Sequence, residues 1–249
     1  MHFRLPKPLH GWREFAGEVQ IIVVGVLIAL GAGQVVEMIH NRSVAAATRA
    51  GLRAEFEDDL ASMARRRNAE SCVERRLDEL RSLLAVWAKT GRFQTPQWVA
   101  NPPISSIRLT RYNLAVSGAA LGLLPSEEQY RIGNLASEFQ FFAETQHEER
   151  QAWGELRELQ GGPEVLSTVD RGQIRTALQN ASTLDYDARS AVEKGLPLAA
   201  SYGYRPNFSN LKSSMAVEVR TRNAPEPICL PIDTPRQEAQ NRLATPLPL

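Results

Sequence analysis

The sequence has few of the residues on which enzymes and metalloproteins depend. It contains four histidines and two cysteines in 249 residues, and the cysteines are too far apart to form a C-x-x-C motif. It lacks a G-x-S-x-G nucleophile motif, an H-E-x-x-H zinc motif, a phosphate-binding P-loop and a dinucleotide fingerprint. We therefore expect no catalytic residue, no cofactor and no metal, and we interpret the chain as a protein that is not an enzyme.

Two Glu-x-x-His pairs, Glu37/His40 and Glu144/His147, have the spacing of the ligands in di-iron bundles. A dinuclear site needs both pairs to converge inside one helical core. The first pair follows a long apolar run, however, and the second lies in the polar run TQHEER. Solvent-exposed helix faces explain both pairs better than a metal site does.

The sequence also lacks an excess of charge of either sign. Its formal net charge is +1, which argues against nucleic acid as a partner. We interpret the acidic runs at Glu57-Asp58-Asp59 and Glu148-Glu149 as solvent-exposed faces. A continuous helix would place Arg66 about 45 Å from the nearest apolar boundary, too far for Arg65-Arg66-Arg67 to be attracted to the bilayer surface. We therefore interpret these arginines as a solvated face or as partners in ion pairs within the protein.

One long apolar stretch contrasts with this composition. Val19 to Val36 reads VQIIVVGVLIALGAGQVV, and as a helix these 18 residues would be about 27 Å long, close to the ~30 Å hydrocarbon core of a bilayer. Trp12 and Phe15 precede it at the depth of the membrane interface. We predict a short cytoplasmic segment over residues 1–17 and a transmembrane helix over residues 18–37.

The sequence leaves two properties of this span open: which of its ends is cytoplasmic, and whether it is retained or cleaved off as a signal peptide. Basic residues flank its two ends in equal number, so charge does not determine which end is cytoplasmic. A cleavable signal peptide is the alternative to a permanent span, with Gly31–Gly33 as a small-x-small cleavage site. The helical pattern continues past that site to Ile39, which favours the permanent span.

Small residues recur every four positions within the span, at Gly25, Ala29 and Gly33. This spacing places them on one helix face, where two transmembrane helices can approach closely and pack by van der Waals contact. Two interpretations stay open: copies of the chain self-associate through this face, or the spacing reflects only that small residues are common in transmembrane helices.

The rest of the sequence predicts an all-α fold. No proline occurs from Glu37 to about Lys89, and apolar residues recur there at 3–4 spacing, so the transmembrane helix should continue into a long helix that packs in an extramembrane bundle. The bundle domain is predicted over residues 38–223, before a proline-rich tail of residues 224–249, of which the last dozen residues should be loosely held. Its other predicted helices are Ser105–Leu124, one from a capping box at Ser126–Gln129 to about Gln160, and two shorter ones at Asp170–Ala181 and Leu184–Lys194.

The two cysteines are Cys72, within the predicted long helix, and Cys229, within the proline-bracketed segment PICLP. An exported domain would fold in an oxidising compartment, which favours a disulfide between them. Closing a loop of about 157 residues would stabilise the fold by up to about 5 kcal/mol in the chain-entropy model. We predict this disulfide; the alternative is two free thiols in a cytosolic domain.

The segment GWREFAGEVQIIVVGVLIALGAGQVVE resembles the start of a family of uncharacterised bacterial single-pass inner-membrane proteins, which have a short basic N-terminus and a Gly-Glu-led apolar span. CVERRLDEL (Cys72–Leu80), SGAALGLLPSEEQ (Ser117–Gln129) and CLPIDTP (Cys229–Pro235) are also similar to that family. The resemblance implies a cytoplasmic N-terminus and a helical domain in the periplasm. It implies no activity and no site residues.

Three functional hypotheses follow. The first is an interaction or scaffold protein of the cell envelope, with the lipid bilayer and an unidentified envelope protein as partners. The second is a periplasmic ligand-binding sensor that acts through a partner, and a pocket lined by Arg108, Arg111 and Tyr112 would favour it. The third is a membrane-tethered enzyme, for which the evidence would be a buried cluster of titratable groups beside a cleft.

Overall fold

The computed structural model describes residues 12–162, 168–209 and 226–244, and these residues form an all-α protein, as predicted. No β-strand occurs in the described ranges. Three short 3₁₀ helices lie at Ala120–Leu123, Arg157–Gly161 and Pro227–Cys229. The α-helices of these ranges are α1 (Trp12–Asn68), α2 (Glu70–Thr90), α3 (Thr110–Ser117), α4 (Ser126–Leu156), α5 (Thr168–Ser201) and α6 (Arg236–Ala244).

Helix α1 has two parts with different surroundings. Every side chain from residue 15 to residue 40 is exposed, including the apolar ones, such as Ile21 at 75%. Further along the same helix Leu52, Phe56 and Leu60 are buried. One uninterrupted helix of 57 residues therefore runs from an exposed apolar segment into the core of the folded domain.

Helices α1 and α2 are separated by Ala69 alone. The Ala69 N–H is shared between the carbonyl oxygens of Arg65 and Arg66, at 3.3 and 3.2 Å, and such bifurcated bonds are common at helix ends. Helix α2 ends at Gly91, which adopts the left-handed conformation (φ 69°) and donates its N–H to the Trp87 carbonyl. The predicted long helix is thus nearly continuous to Thr90.

The domain is a bundle of three long rods, formed by α1 with α2, by α4 and by α5. The start of α4 and the end of α5 share one core, and the end of α4 and the start of α5 share another, so α4 and α5 are antiparallel. The core nearer the apolar part of α1, which we call the lower core, contains Phe56 of α1, Phe139 of α4 and Val192 of α5. The upper core contains Leu77 of α2 and Trp153 of α4. Fully burying a large apolar side chain contributes roughly 1.5–3 kcal/mol, so these two cores supply most of the favourable folding energy.

The bounds of several predicted helices differ from the structure. The predicted helix Ser105–Leu124 is only α3 and a 3₁₀ turn, because the N–H groups of Ser105 and Arg108 donate to the side chains of Gln146 and Asp59 instead of continuing a helix. Helix α4 begins at Ser126, but no side chain caps it, and the Gln129 side chain donates to the Leu124 carbonyl at 2.7 Å.

The two short helices predicted near the end of the domain are one helix, α5. It continues through Gly195 and Pro197 to Ser201. A Cβ at Gly195 would lie 3.0 Å from the Met63 Cε atom, so glycine permits a close approach of α5 to α1 there. Packing of Ala191, Val192 and neighbouring residues into the lower core offsets the poor helix propensity of this segment.

Candidate functional site

The predicted packing face of the span lies on the uncovered part of α1. Gly25, Ala29 and Gly33 are all exposed. A Cβ built at Gly25 or Gly33 meets nothing within 4 Å. Self-association through this face stays a prediction.

Cys72 and Cys229, the pair predicted to form a disulfide, are joined in the structure, with their Cα atoms 4.9 Å apart. The bond connects α2 to the 3₁₀ helix of the tail. The proline-rich tail is docked on the bundle at residues 226–234. Arg75 on α2 donates to the Cys229 carbonyl at 2.8 Å, and Arg65 and Glu226 form an ion pair at 2.6 Å.

A single buried side chain, Arg76, binds the tail and the 97–99 connection together. It is 0% exposed, and its guanidinium donates to the carbonyl oxygens of Val99, at 2.6 Å, of Trp98 and of Leu230. Its Nε atom donates to Glu79 at 2.7 Å. Burial lowers the pKa of Arg76, while Glu79 opposes that shift. These carbonyls belong to segments without regular secondary structure, so Arg76 supplies the donors that a helix or a sheet would otherwise supply.

Backbone and indole donors add to this attachment. The N–H groups of Gln97 and Trp98 both donate to the Ile232 carbonyl, at 3.0 and 2.9 Å. The indole N–H of Trp98 donates to the Pro227 carbonyl at 2.8 Å. These hydrogen bonds attach the tail to the 97–99 connection at the upper end of the bundle, and their role is structural.

A second buried polar group lies between the two cores. It consists of Arg66 on α1, Glu149 on α4 and Asp185 on α5, and we refer to it as the central charge layer. The Arg66 guanidinium donates to Glu149 Oε1 at 2.9 Å and to Asp185 Oδ1 at 2.5 Å. The exposed fractions of the three residues are 2%, 0% and 3%. Each of the three rods therefore contributes one charged side chain to a site that is closed to solvent.

The central charge layer is not fully compensated. One guanidinium faces two carboxylates, and Arg66 Nε has no hydrogen-bond partner among the described residues. Burial raises the pKa of Glu149 to about 6, although the Arg66 charge opposes the shift. The layer corrects one sequence interpretation, because Glu149 is not on a solvent-exposed face. Arg66 is paired within the protein, which was one of its two predicted roles.

Two acidic residues on α1 hold the segment that leads into α3. The Glu55 carboxylate accepts the N–H groups of Arg111, at 2.9 Å, and Tyr112, at 3.1 Å, at the N-terminus of α3, where negative charge is favourable. Asp59 accepts the N–H of Arg108 at 3.0 Å and is buried, so its predicted place on a solvent-exposed face is wrong.

The three residues named as candidates for the lining of a ligand pocket have a backbone role in the packing of α3 on α1. Arg108, Arg111 and Tyr112 contribute backbone N–H groups to the two carboxylates of α1, and the side chains of both arginines are exposed. The Tyr112 ring packs against Phe56, with centroids 6.5 Å apart. The cleft at the end of the apolar part of α1 is not lined by any of the three.

The surroundings of Asp59 make the stability of the domain depend on pH. Burial, together with the charges of Glu55 and Asp58, raises the pKa of Asp59 to about 8, against the opposing bond and charge of Arg108. The folded chain therefore binds a proton between about pH 4 and pH 8 that the unfolded chain lacks. The stability linked to Asp59 is complete below about pH 4 and is lost as the pH rises to about 8.

We expect Asp59→Asn to flatten this dependence, because an amide cannot ionise while its oxygen can still accept the Arg108 N–H. The variant should be more stable than the native chain near pH 8, and the difference should shrink toward pH 4. Urea unfolding at several pH values measures it, with the exposed Glu148→Gln as the matched control. Parallel pH profiles for Asp59→Asn and the native chain would contradict the assignment.

The two Glu-x-x-His pairs lie on exposed helix faces, as predicted. Glu144 accepts a bond from Gln140 at 2.9 Å, and His147 contacts Gln151 on the next turn of α4. Within the described ranges, no group of three or more His, Cys, Asp or Glu residues is arranged to hold a metal ion.

A cleft of about 700 Å³ opens where α1 passes from its apolar part to the folded domain. Residues of α1 between Gln34 and Arg49 line one side, and Leu123–Pro125, at the end of the 3₁₀ turn, line the other. We refer to it as the exit cleft. On the side of the cleft away from the apolar part of α1, Arg49 Nε donates to the two carboxylate oxygens of Glu128, at 2.8 and 3.0 Å. Arg42 is exposed and forms no ion pair with any described residue.

Comparison with models of protein families, with curated proteins and with solved structures finds no match to this chain. The exit cleft and the central charge layer are formed by different residues of α1, with Arg49 and Arg66 separated by 17 positions, or about 25 Å of helix.

Proposed function

We propose that this chain is a single-pass protein of the bacterial inner membrane, with a cytoplasmic N-terminus and a periplasmic helical domain that serves as an interaction or scaffold module of the envelope. The observation that carries the proposal is the uncovered apolar part of α1. Its most apolar window of 18 residues has a mean hydropathy of 2.3, and none of that window is buried. A core helix of a soluble domain would be mostly covered by its own chain.

The distribution of the exposed side chains supports lipid, rather than one protein groove, as the surroundings of this helix. At 100° per residue, Val23 and Val26 lie about 200° and 140° around the helix from Ile21. All three are exposed. A groove on a partner would cover one side, whereas acyl chains cover every side, and each large apolar side chain removed from water contributes roughly 1.5–3 kcal/mol.

The rigid connection between this helix and the bundle supports the scaffold role. Helix α1 enters the lower core without a break, so the domain has a fixed position relative to the span. The Cys72–Cys229 disulfide supports an oxidising compartment such as the periplasm. The central charge layer lies apart from the exit cleft, whereas a tethered enzyme would place its buried titratable groups beside a cleft. This separation favours an interaction module over a tethered enzyme.

Membrane extraction and reporter fusions of the full-length chain test the proposal. We expect the chain to stay in the membrane fraction after alkaline carbonate treatment and to keep an N-terminal epitope, which a cleaved signal peptide would lose. A C-terminal alkaline phosphatase fusion should be active, and a C-terminal green fluorescent protein fusion should be dark.

The double variant Val24→Arg/Ile28→Arg is the control, because each central arginine raises the insertion cost by about 2.5–3.5 kcal/mol. Release of the native chain by carbonate, or a fluorescent C-terminal fusion, would contradict the proposal. Crosslinking in intact cells then identifies the envelope protein that the domain contacts.

A further inference from the structure

The exit cleft lies at the height of the lipid headgroups if the span ends at Glu37. Arg42 is five residues beyond Glu37, which corresponds to a rise of about 7.5 Å along α1. The headgroup layer on each side of a bilayer is roughly 5–8 Å thick, since the hydrocarbon core is ~30 Å and the whole bilayer ~40–45 Å. The α1 wall of the cleft between Glu37 and Arg42 therefore spans this layer.

The helix face below Arg42 is continuous with the lipid-facing surface. Met38 and Ile39 lie four and three residues before Arg42, and Val35 lies two turns before it, so all three share its face. Their side chains are exposed at 46%, 62% and 51%, respectively. An acyl chain that runs along this face leads directly to the Arg42 guanidinium.

The cleft itself combines a free cation with an apolar wall. Arg42 has no ion-pair partner among the described residues, whereas Arg49 above it is occupied by Glu128. Leu123 and Leu124 line the opposite wall, and the Leu123 side chain, which is exposed at 40%, can contact the glycerol region of a lipid. Glu37 lies at the lower edge of the same cleft and disfavours a free phosphate dianion more than a lipid phosphate, which carries one negative charge.

We propose that the exit cleft binds one bilayer phospholipid, with the phosphate held by Arg42 and the acyl chains lying along Met38 and Val35. This inference rests on the proposed function, because it requires α1 to span the membrane. It assigns a ligand to the cleft: a phosphate-bearing lipid of the leaflet that faces the domain. Arginine suits this role, because its planar guanidinium can form two parallel bonds to phosphate oxygens.

Native mass spectrometry of the full-length protein in detergent, titrated with dioleoylphosphatidylethanolamine, tests the proposal. We expect Arg42→Ala to weaken binding of the first lipid by about tenfold or more, and Arg42→Lys to weaken it less, since lysine keeps the charge but loses the bidentate geometry. Leu123→Glu, which places a carboxylate opposite Arg42, should also abolish tight binding. Arg67→Ala is the matched control: Arg67 is an exposed arginine on the same helix, about 37 Å further from the membrane.

Each outcome supports or overturns the inference. A glucosyl diacylglycerol, which has no phosphate, should not compete for the site, and inorganic phosphate at millimolar concentration should not displace the lipid. Displacement by inorganic phosphate would show a site for a soluble anion and overturn the lipid assignment. Equal lipid affinity of Arg42→Ala and Arg67→Ala, with unchanged circular dichroism, would overturn it too. Retention of Arg42→Ala in carbonate-washed membranes separates that failure from failure of the proposed function, in which the native chain itself is released.

Discussion

Arg66→Met is expected to lower the free energy of unfolding by about 3–5 kcal/mol, because it leaves Glu149 and Asp185 buried without their counter-charge. Methionine keeps much of the side-chain volume, so the loss reports charge rather than a cavity. Urea unfolding of the full-length protein in detergent, followed by tryptophan fluorescence, measures it. Arg67→Met changes the next residue in the sequence, which is exposed, and should alter stability by no more than about 0.5 kcal/mol.

The loss in Arg66→Met should depend on pH. The pKa of Glu149 is already raised to about 6 by burial, with Arg66 opposing the shift. Without Arg66 the pKa of Glu149 rises further, and the folded chain takes up a proton that the unfolded chain lacks. Stability is then lost as the pH rises through this raised pKa, so the destabilisation should be larger near pH 8 than near pH 5.

Removing all three charges should be milder than removing one. The triple variant Arg66→Met/Glu149→Met/Asp185→Leu leaves no charge in the central charge layer and joins the lower and upper cores into one apolar core. Such replacements are often neutral or stabilising by about 1–4 kcal/mol. An Arg66→Met variant that costs no more than Arg67→Met would mean that the charge layer does not form in solution.

The burial of Glu149 in the central charge layer could be predicted only in part from the sequence. Glu149 falls on the apolar side of α4, seven residues after Phe142 and four residues before Trp153, and both of these are buried. Its periodic position therefore indicates the core, whereas its charge indicates the surface. The partner that allows burial, Arg66, is 83 residues away, and periodicity within one helix cannot reveal it. A charged residue on the apolar side of a predicted helix is the signal that could have found it.

Helix type could be predicted from the sequence more reliably than helix bounds. The 3–4 spacing in α1, α2 and α4 predicts their existence because burial of an apolar side is a local pattern. The N–H groups of Ser105 and Arg108 are bound by Gln146 and Asp59, so their departure from the helix has a non-local cause. The exit cleft has a similar origin, because it joins the end of the span to a turn about 80 residues later.

The cysteine pair could be predicted because only one pairing exists within the chain. The hydrogen bonds that attach the tail around Cys229 to the bundle could not be predicted. The carbonyl oxygens that Arg76 binds belong to two segments more than 120 residues apart, and an arginine within a helix gives no sign of such a role. The docked tail therefore follows from tertiary contacts that the proline content of the segment does not indicate.

The double variant Cys72→Ser/Cys229→Ser is expected to lose about 2–5 kcal/mol of stability relative to the oxidised native chain. The bond links positions 157 residues apart, and in the chain-entropy model a long loop gives a value toward the upper end of that range. Urea unfolding with and without a reductant measures the loss, and reduction of the native chain should reproduce it. A reductant should leave the stability of the double variant itself unchanged.

The slope of the unfolding curve separates the two ways in which the bond could act. If it acts on the unfolded chain, its removal exposes more surface on unfolding, so the denaturant dependence should steepen while the folded structure stays the same. The folded tail should remain docked, because Arg76, Trp98 and Arg65 still bind it. Loss of hydrogen-exchange protection at residues 226–234 in an otherwise folded double variant would show instead that the bond holds the tail in place. Two alkylatable thiols in native protein from intact cells would contradict the disulfide, and the periplasmic assignment would lose the support that rests on it.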